Sequence, residues 1–180
     1  MKILSGALRG RPIAQPATRS VRPLSEKVRA ALFDVVGAPT GLTVLDAYAG
    51  SGAAGFEALS RGAILVEAIE SNPRVAKTID ANAAALETGF SYILHRMSVE
   101  TWLASPQQQP PAPRYGLIVA DPPYAQLEPD ILARLADYLM PSGILAISHS
   151  SKSTVKAPEG FELAKQKTYG DTALSFIIRA

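Results

Sequence analysis

The chain has no cysteine and two histidines, His95 and His149. Disulfides, thiolate-ligated zinc and a cysteine nucleophile are excluded together, and a histidine-rich metal centre is not expected. No apolar run reaches the roughly 18–20 residues that span a bilayer. The first residues carry Lys2, Arg9 and Arg11 with no apolar signal core, so a cytoplasmic protein is expected. There is little surplus of either charge, net +2 over 180 residues, but its distribution is lopsided. Residues 1–30 hold Lys2, Arg9, Arg11, Arg19, Arg22, Lys27 and Arg29 against Glu26 alone, while the rest of the chain is mildly acidic. A basic N-terminal segment on such a body points to a polyanion partner, or else to a solvated arm.

The length suits one domain, and 47% apolar residues suffice for a core. Residues 1–16 read as a small basic hairpin or extended arm, with Gly6, Gly10 and Pro12 between short apolar stretches. "LSEKVRAALFDVVG" (24–37) reads as a helix capped by Ser25 and stopped by Gly37. From residue 42 strands and helices alternate. Strands are expected at "LTVLDA", "AILVEAIE", "FSYILHR", "YGLIVAD" and "GILAISHS", and helices at 52–61, 72–89, 98–104 and 127–139. "SPQQQPPAP" (105–113) reads as a Pro-rich surface loop, and residues 161–180 as two strands about a Gly-Asp turn. Repeated βα units imply an α/β fold, a mostly parallel sheet with helices on both faces.

Two motifs carry chemistry. In "LDAYAGSGAAGFEAL", Gly50, Gly52 and Gly55 follow the first strand and open a helix, and Glu70 ends the next strand. This spacing fits a nucleotide-type site, with Glu70 on a ribose. Asp46, just ahead of the turn, is unwelcome to a pyrophosphate and suits a cationic ligand, which favours S-adenosylmethionine over NAD. The second motif is "DPPY" at 121–124, after the fourth strand. Two prolines cannot continue a central strand, so the chain stops at Asp121 and forms a stiff loop. The Asp121 carboxylate and Pro122 carbonyl can accept from the two hydrogens of an exocyclic aromatic amine and orient its lone pair for methylation. Tyr124 can stack on the base, which must be unpaired or flipped. Read blandly, the same residues form only a strand-ending turn.

"DAYAGSGAAGFEALSRGA" with "DPPY", "ILSGALRGRPI", "RPLSEKVRAALFD" and "YGDTALSF" resembles the RsmD family of bacterial 16S rRNA guanine-N2 methyltransferases over nearly the whole chain. The resemblance implies a Rossmann-like class I methyltransferase with seven strands, the last two antiparallel, in a domain over 25–180 preceded by an RNA-contacting arm over 1–24. It implies a donor site of Asp46, Ala49, Gly50, Ser51, Gly52, Glu70, Ser71, Ser98, Val99 and Asp121, with the donor over Gly50 and Gly52. It implies catalysis by Asp121, Pro122, Pro123 and Tyr124, and RNA contacts from Arg9, Arg11, Arg19, Arg22, Ser25 and Tyr124. No metal is implied. Ser98 stands where the family often has Asp near the adenine. Tyr92, Met97 and Trp102 are expected in the core or pocket wall. The implied partner is 16S rRNA or the assembling 30S subunit, met by a monomer. Rival readings are an amino methyltransferase for another nucleic acid or a protein amide, a non-catalytic RNA-binding assembly factor, and an NAD-linked oxidoreductase.

Overall fold

The computed structural model describes residues 1–17, 24–108, 112, 114–123 and 128–180. One helix, four βα units and a fifth strand lead into a terminal hairpin. In chain order the elements are α1 (Glu26–Val36), β1 (Thr43–Asp46), α2 (Ala53–Ser60), β2 (Leu65–Ile69), α3 (Pro73–Ala85), β3 (Tyr92–His95), α4 (Val99–Ala104), β4 (Tyr115–Ala120), α5 (Pro129–Ala136), β5 (Leu139–Ser150), β6 (Phe161–Tyr169) and β7 (Thr172–Arg179). The sheet order is β3-β2-β1-β4-β5-β7-β6. β7 pairs antiparallel with both β5 and β6, so it is the one reversed strand and β6 runs with the rest. "The last two antiparallel" therefore describes their mutual pairing; only β7 departs from the common direction. Gly170, with φ 62, occupies the first central position of the two-residue turn between them, where a II′-type hairpin needs positive φ.

Strand alternation divides the core into two. Val44, Leu117, Val119, Ala146, Leu174 and Phe176 face α1, α2 and α3. Their neighbours Leu45, Ile118, Leu145, Ile147 and Ile177 face α4 and α5. Helix starts follow the capping chemistry of the sequence. Ser25 Oγ accepts from Val28 N at 3.2 Å, and Asn72 Oδ1 accepts from Arg74 N at 2.9 Å ahead of Pro73. Gly37 closes α1 at φ 76. Two boundaries differ from the expected ones. α3 stops at Ala85 rather than running to Gly89, because the chain turns through positive φ at Glu87 and again at Gly89. α5 covers Pro129–Ala136 only, and β5 begins at Leu139, with Met140–Ser142 bulging out of its register with β4.

Residues 1–13 form the expected hairpin, closed by a Lys2–Pro12 bridge, yet Ile3 and Ile13 are fully buried against the α1/α2 core. Glu57 on α2 anchors it, accepting from Leu4 N at 2.8 Å and Ser5 N at 3.0 Å. Arg29, wholly buried, lies 3.4 Å from Glu57 and donates to the Lys2 carbonyl. Its charge is thus spent inside the fold, although Arg29 belongs to the basic run of residues 1–30.

Candidate functional site

Strand order reverses between β1 and β4, and parallel sheets open a crevice beyond the carboxyl ends of strands at such a point. Asp46 ends β1 opposite Val119 of β4. Asp121 follows β4 directly, and Glu70 follows β2. Three carboxylates therefore stand along one edge of the sheet. They border a cavity system whose main chamber, about 720 Å³, is lined by Gly50, Glu70, Met97, Val99 and Asp121 among others. Asp46 borders a smaller chamber, which it shares with Gly50 and Asp121.

Each carboxylate has a local reason for its position. Asp46 Oδ2 accepts from Gly55 N, at 3.0 Å, in the first turn of α2. Burial pushes its carboxyl up to about 7; the Gly55 hydrogen bond opposes this, and the negative charges of Asp121 and Glu70 add to it. Glu70 Oε2 accepts from Gly50 N at 3.0 Å and Oε1 from Asn72 N at 2.7 Å, so one side chain joins the glycine loop to the start of α3. Burial also raises the Glu70 carboxyl, against these hydrogen bonds. Pro122 is buried and Pro123 exposed, and both line the main chamber beside Asp121.

The glycines divide by role. Gly50, at φ 55, lies on the chamber wall. Gly52, at φ 78, does not line the main chamber. A Cβ there would lie 2.5 Å from Phe56 Cε2 and 2.8 Å from the Tyr92 hydroxyl. The expected reason for Gly52, backbone approach of a ligand, is thus joined by a packing reason: Phe56 and Tyr92 stack at 4.3 Å immediately beneath it. Ala49 N donates to the Ile69 carbonyl, and the buried Ser51 gives its carbonyl to Asn82 Nδ2. Both border the smaller chamber with Gly50.

Ser71, Ser98 and Val99 line the main chamber as expected. Ser98 Oγ caps α4 by accepting from Thr101 N at 3.2 Å. An aspartate at this position would do the same, so the capping function survives the replacement. Met97 is on the wall, whereas Trp102 and Tyr92 are buried.

Of the described RNA candidates, Ser25 lines the chamber whereas Arg9 and Arg11 do not. Ser25 lines the chamber while its hydroxyl caps α1. Arg11 donates to the Ala85 carbonyl at the end of α3. Arg9 is exposed on the hairpin, whose Ala7 and Leu8 amides bond Ser60. That is the C-terminal end of α2, roughly 12 Å along the helix from the glycine loop. Arg19, Arg22 and Tyr124 lie outside the described residues. The structure adds residues with no assigned site role in the sequence reading: Lys27 of α1, Ser148 of β5, and Tyr169, Asp171 and Thr172 at the hairpin tip all line the chamber. The signal available for the tip was the "YGDTALSF" block, which marks a turn but not what it faces.

A family model described as conserved hypothetical protein 95 matches residues 1–178. The chain belongs to this family, the RsmD family. The chain is similar to ribosomal RNA small subunit methyltransferase D of Haemophilus influenzae, 28% identical over 176 residues, covering 94% of this chain and 89% of the relative. The Escherichia coli (strain K12) protein of the same name is 29% identical over 182 residues, covering 96% and 87%. The solved Escherichia coli protein yhhF superposes with a TM-score of 0.84 at 27% identity, covering 99% of this chain and 97% of that one. The RsmD-family assignment brings with it the class I methyltransferase architecture, and the seven-stranded sheet has that form. Among the described residues, no helix is long and apolar enough to cross a membrane.

Proposed function

We propose that this protein transfers a methyl group from S-adenosylmethionine to the exocyclic N2 amine of a guanine in 16S ribosomal RNA. The observation that carries the reading is the acidic edge of Asp46, Glu70 and Asp121 about the glycine loop. In a dinucleotide enzyme the first turn of this helix offers its N–H groups to a pyrophosphate. Here the Gly55 N–H is taken by Asp46, and two further carboxylates stand nearby. The Glu70 and Asp121 charges repel phosphate and attract a ligand bearing sulfonium and ammonium charges, and such a ligand would help Asp46 give up its proton. The residues therefore fit S-adenosylmethionine: Glu70 for ribose hydroxyls, Met97, Ser98 and Val99 for the adenine, and Asp46 for the cationic end. When bound, the donor supplies an electrophilic methyl group on sulfur.

The chain's own part is to hold the amine. Asp121 and the Pro122 carbonyl accept from its two hydrogens, which turns the nitrogen lone pair out of conjugation with the ring. The Asp121 charge stabilises the positive charge growing on nitrogen, and one N–H proton leaves by way of its carboxylate once the N–C bond has formed. Tyr124 supplies a stacking face. Arg9, Arg11, Arg19, Arg22 and Ser25 are retained as proposed RNA contacts, on 16S rRNA or the assembling 30S subunit, by a monomer in the cytoplasm. The donor and catalytic residues fall within 25–180 and the arm within 1–24.

The test is methylation of 16S rRNA from cells lacking the gene, read by mass spectrometry of the nucleosides. Wild type should restore one N2-methylguanine. Asp121→Asn keeps size and an acceptor oxygen but loses the charge, and should lower the rate by about 10²–10³-fold. Asp121→Ala should lower it further, with donor binding by calorimetry largely kept in both. A normal rate in Asp121→Ala would refute the mechanism; absence of any guanine product with wild type would refute the substrate.

A further inference from the structure

We infer a second RNA-binding surface, on β6, where Lys165 and Lys167 grip substrate phosphates beside the chamber; it rests on the function proposed above. Lys165 is opposite Phe176 on β7, Lys167 is opposite Leu174, and Tyr169 is opposite Thr172. Directly opposed residues of an antiparallel pair share a face. Leu174 and Phe176 point into the core under α1, and Tyr169 packs on that same core. Both lysines therefore project from the α1 face of the sheet, in a row whose third member, Tyr169, lines the chamber. The row runs toward the catalytic edge, since β6 is parallel to β5 and its carboxyl end is the tip at Tyr169. From Lys165 to Tyr169 is about 14 Å of strand. Lys27, in the first turn of α1, stands on the chamber wall on the same side.

Lysines on an edge strand also guard against edge-to-edge pairing, but two observations go beyond that. First, the charge is one-sided over 165–168: Gln166 and Thr168, which point to the opposite face, are uncharged, and the one acid on the lysine face of this strand, Glu162 opposite Ile178, lies on the side of the lysines away from the chamber. A register shift between Leu163 and Lys165 sets this phase. It sends Leu163 to the face of Ile177 and Lys165 to the face of Phe176. Second, the lysines are not engaged internally. Among the described residues, the ion pairs use Arg29, Arg61, Arg96, Arg114 and His95, and none uses Lys27, Lys165 or Lys167. A flipped guanine whose amine reaches Asp121 must have its flanking backbone at the chamber mouth. The β6 lysine row leads to that mouth: Lys167 is two residues, about 7 Å of strand, from the chamber-lining Tyr169.

The test compares full-length wild type, Lys165→Gln/Lys167→Gln, Lys165→Arg/Lys167→Arg, and Lys77→Gln on exposed α3 as a control. Affinity for deproteinised 16S rRNA is measured between 50 and 200 mM salt, with donor binding and melting temperature alongside. Losing two phosphate contacts should flatten the log–log salt dependence by roughly 1.4–1.8. The glutamine pair should show that flattening and a raised KM for RNA, with donor binding and melting unchanged; the arginine pair should behave as wild type, as should Lys77→Gln. A glutamine pair with the wild-type slope, or one no flatter than Lys77→Gln, overturns the surface. A wild type that binds RNA with the expected slope but forms no methylguanine overturns the enzymatic reading instead.

Discussion

Replacing Gly52 by alanine separates two reasons for a glycine in this loop, and the structure assigns numbers to one of them. Gly52 has φ 78, a conformation that costs an L-residue about 1–2 kcal/mol. The new Cβ would meet Phe56 Cε2 at 2.5 Å and the Tyr92 hydroxyl at 2.8 Å. Phe56 is fully buried and stacked on Tyr92, so neither ring can swing away freely, and overpacking of this kind costs roughly 1–3 kcal/mol. Together the substitution should destabilise the fold by about 2–5 kcal/mol. At about 2–4 °C per kcal/mol for a chain of this size, the melting temperature should fall by roughly 4–20 °C. Urea denaturation of Gly52→Ala, Phe56→Leu and the double variant gives the check. Trimming Phe56 relieves the contact, so the double variant should be more stable than the sum of the single effects by about 1–3 kcal/mol. If Gly52→Ala unfolds like wild type while losing donor affinity, the packing account is wrong and ligand approach alone requires the glycine.

Two further outcomes follow from the carboxylates. Asp46 is held at about 7 in the folded protein against an ordinary 3.8, so the folded state keeps a proton that the unfolded state releases. Stability contributed by this group is full below pH 4, is lost as pH rises from about 4 to 7, and amounts to on the order of 4 kcal/mol; Asp46→Asn should lack that decline in urea titrations at pH 4.5, 6 and 7.5, and parallel curves for the two proteins would refute it. Glu70→Ala leaves the Gly50 and Asn72 amides without their acceptor as well as removing the proposed ribose contact, so donor affinity measured by calorimetry should fall by about 1–3 kcal/mol; Glu70→Gln, which keeps one acceptor oxygen, should fall less, and an unchanged affinity in Glu70→Ala would remove Glu70 from the site.

Much of this architecture is legible in the sequence because its signals are local. Ser25, Asn72 and Pro73 mark helix starts through their own hydrogen-bonding and φ constraints, and the apolar strands announce a sheet covered on both faces. The carboxylates at strand ends are equally readable, since in a parallel sheet every strand's carboxyl end reaches the same edge. What the sequence hides is non-local. Nothing near Tyr169 and Asp171 says that β7 inserts between β5 and β6 and thereby brings their turn to the chamber. Nothing near Gly52 says that Tyr92, forty residues on, lies beneath it.

Charge shows the same limit most sharply. Counted along the chain, the cations concentrate in residues 1–30, and a polyanion partner is naturally placed there. Counted in space among the described residues, that concentration weakens. Arg29 is sealed against Glu57, Arg11 closes the end of α3, and Arg9 sits at the far end of α2. Lys165 and Lys167 belong to a stretch of no net note in a window count, because Glu159 and Glu162 offset them in sequence. Strand pleat sets the two lysines on one face, with Glu162 at its far end, and Tyr169 of the same row lines the chamber. A net charge is a property of a surface, and for an enzyme that must grip a polyanion while it holds one base, the surface that matters is the one contiguous with the carboxylate proposed to hold that base.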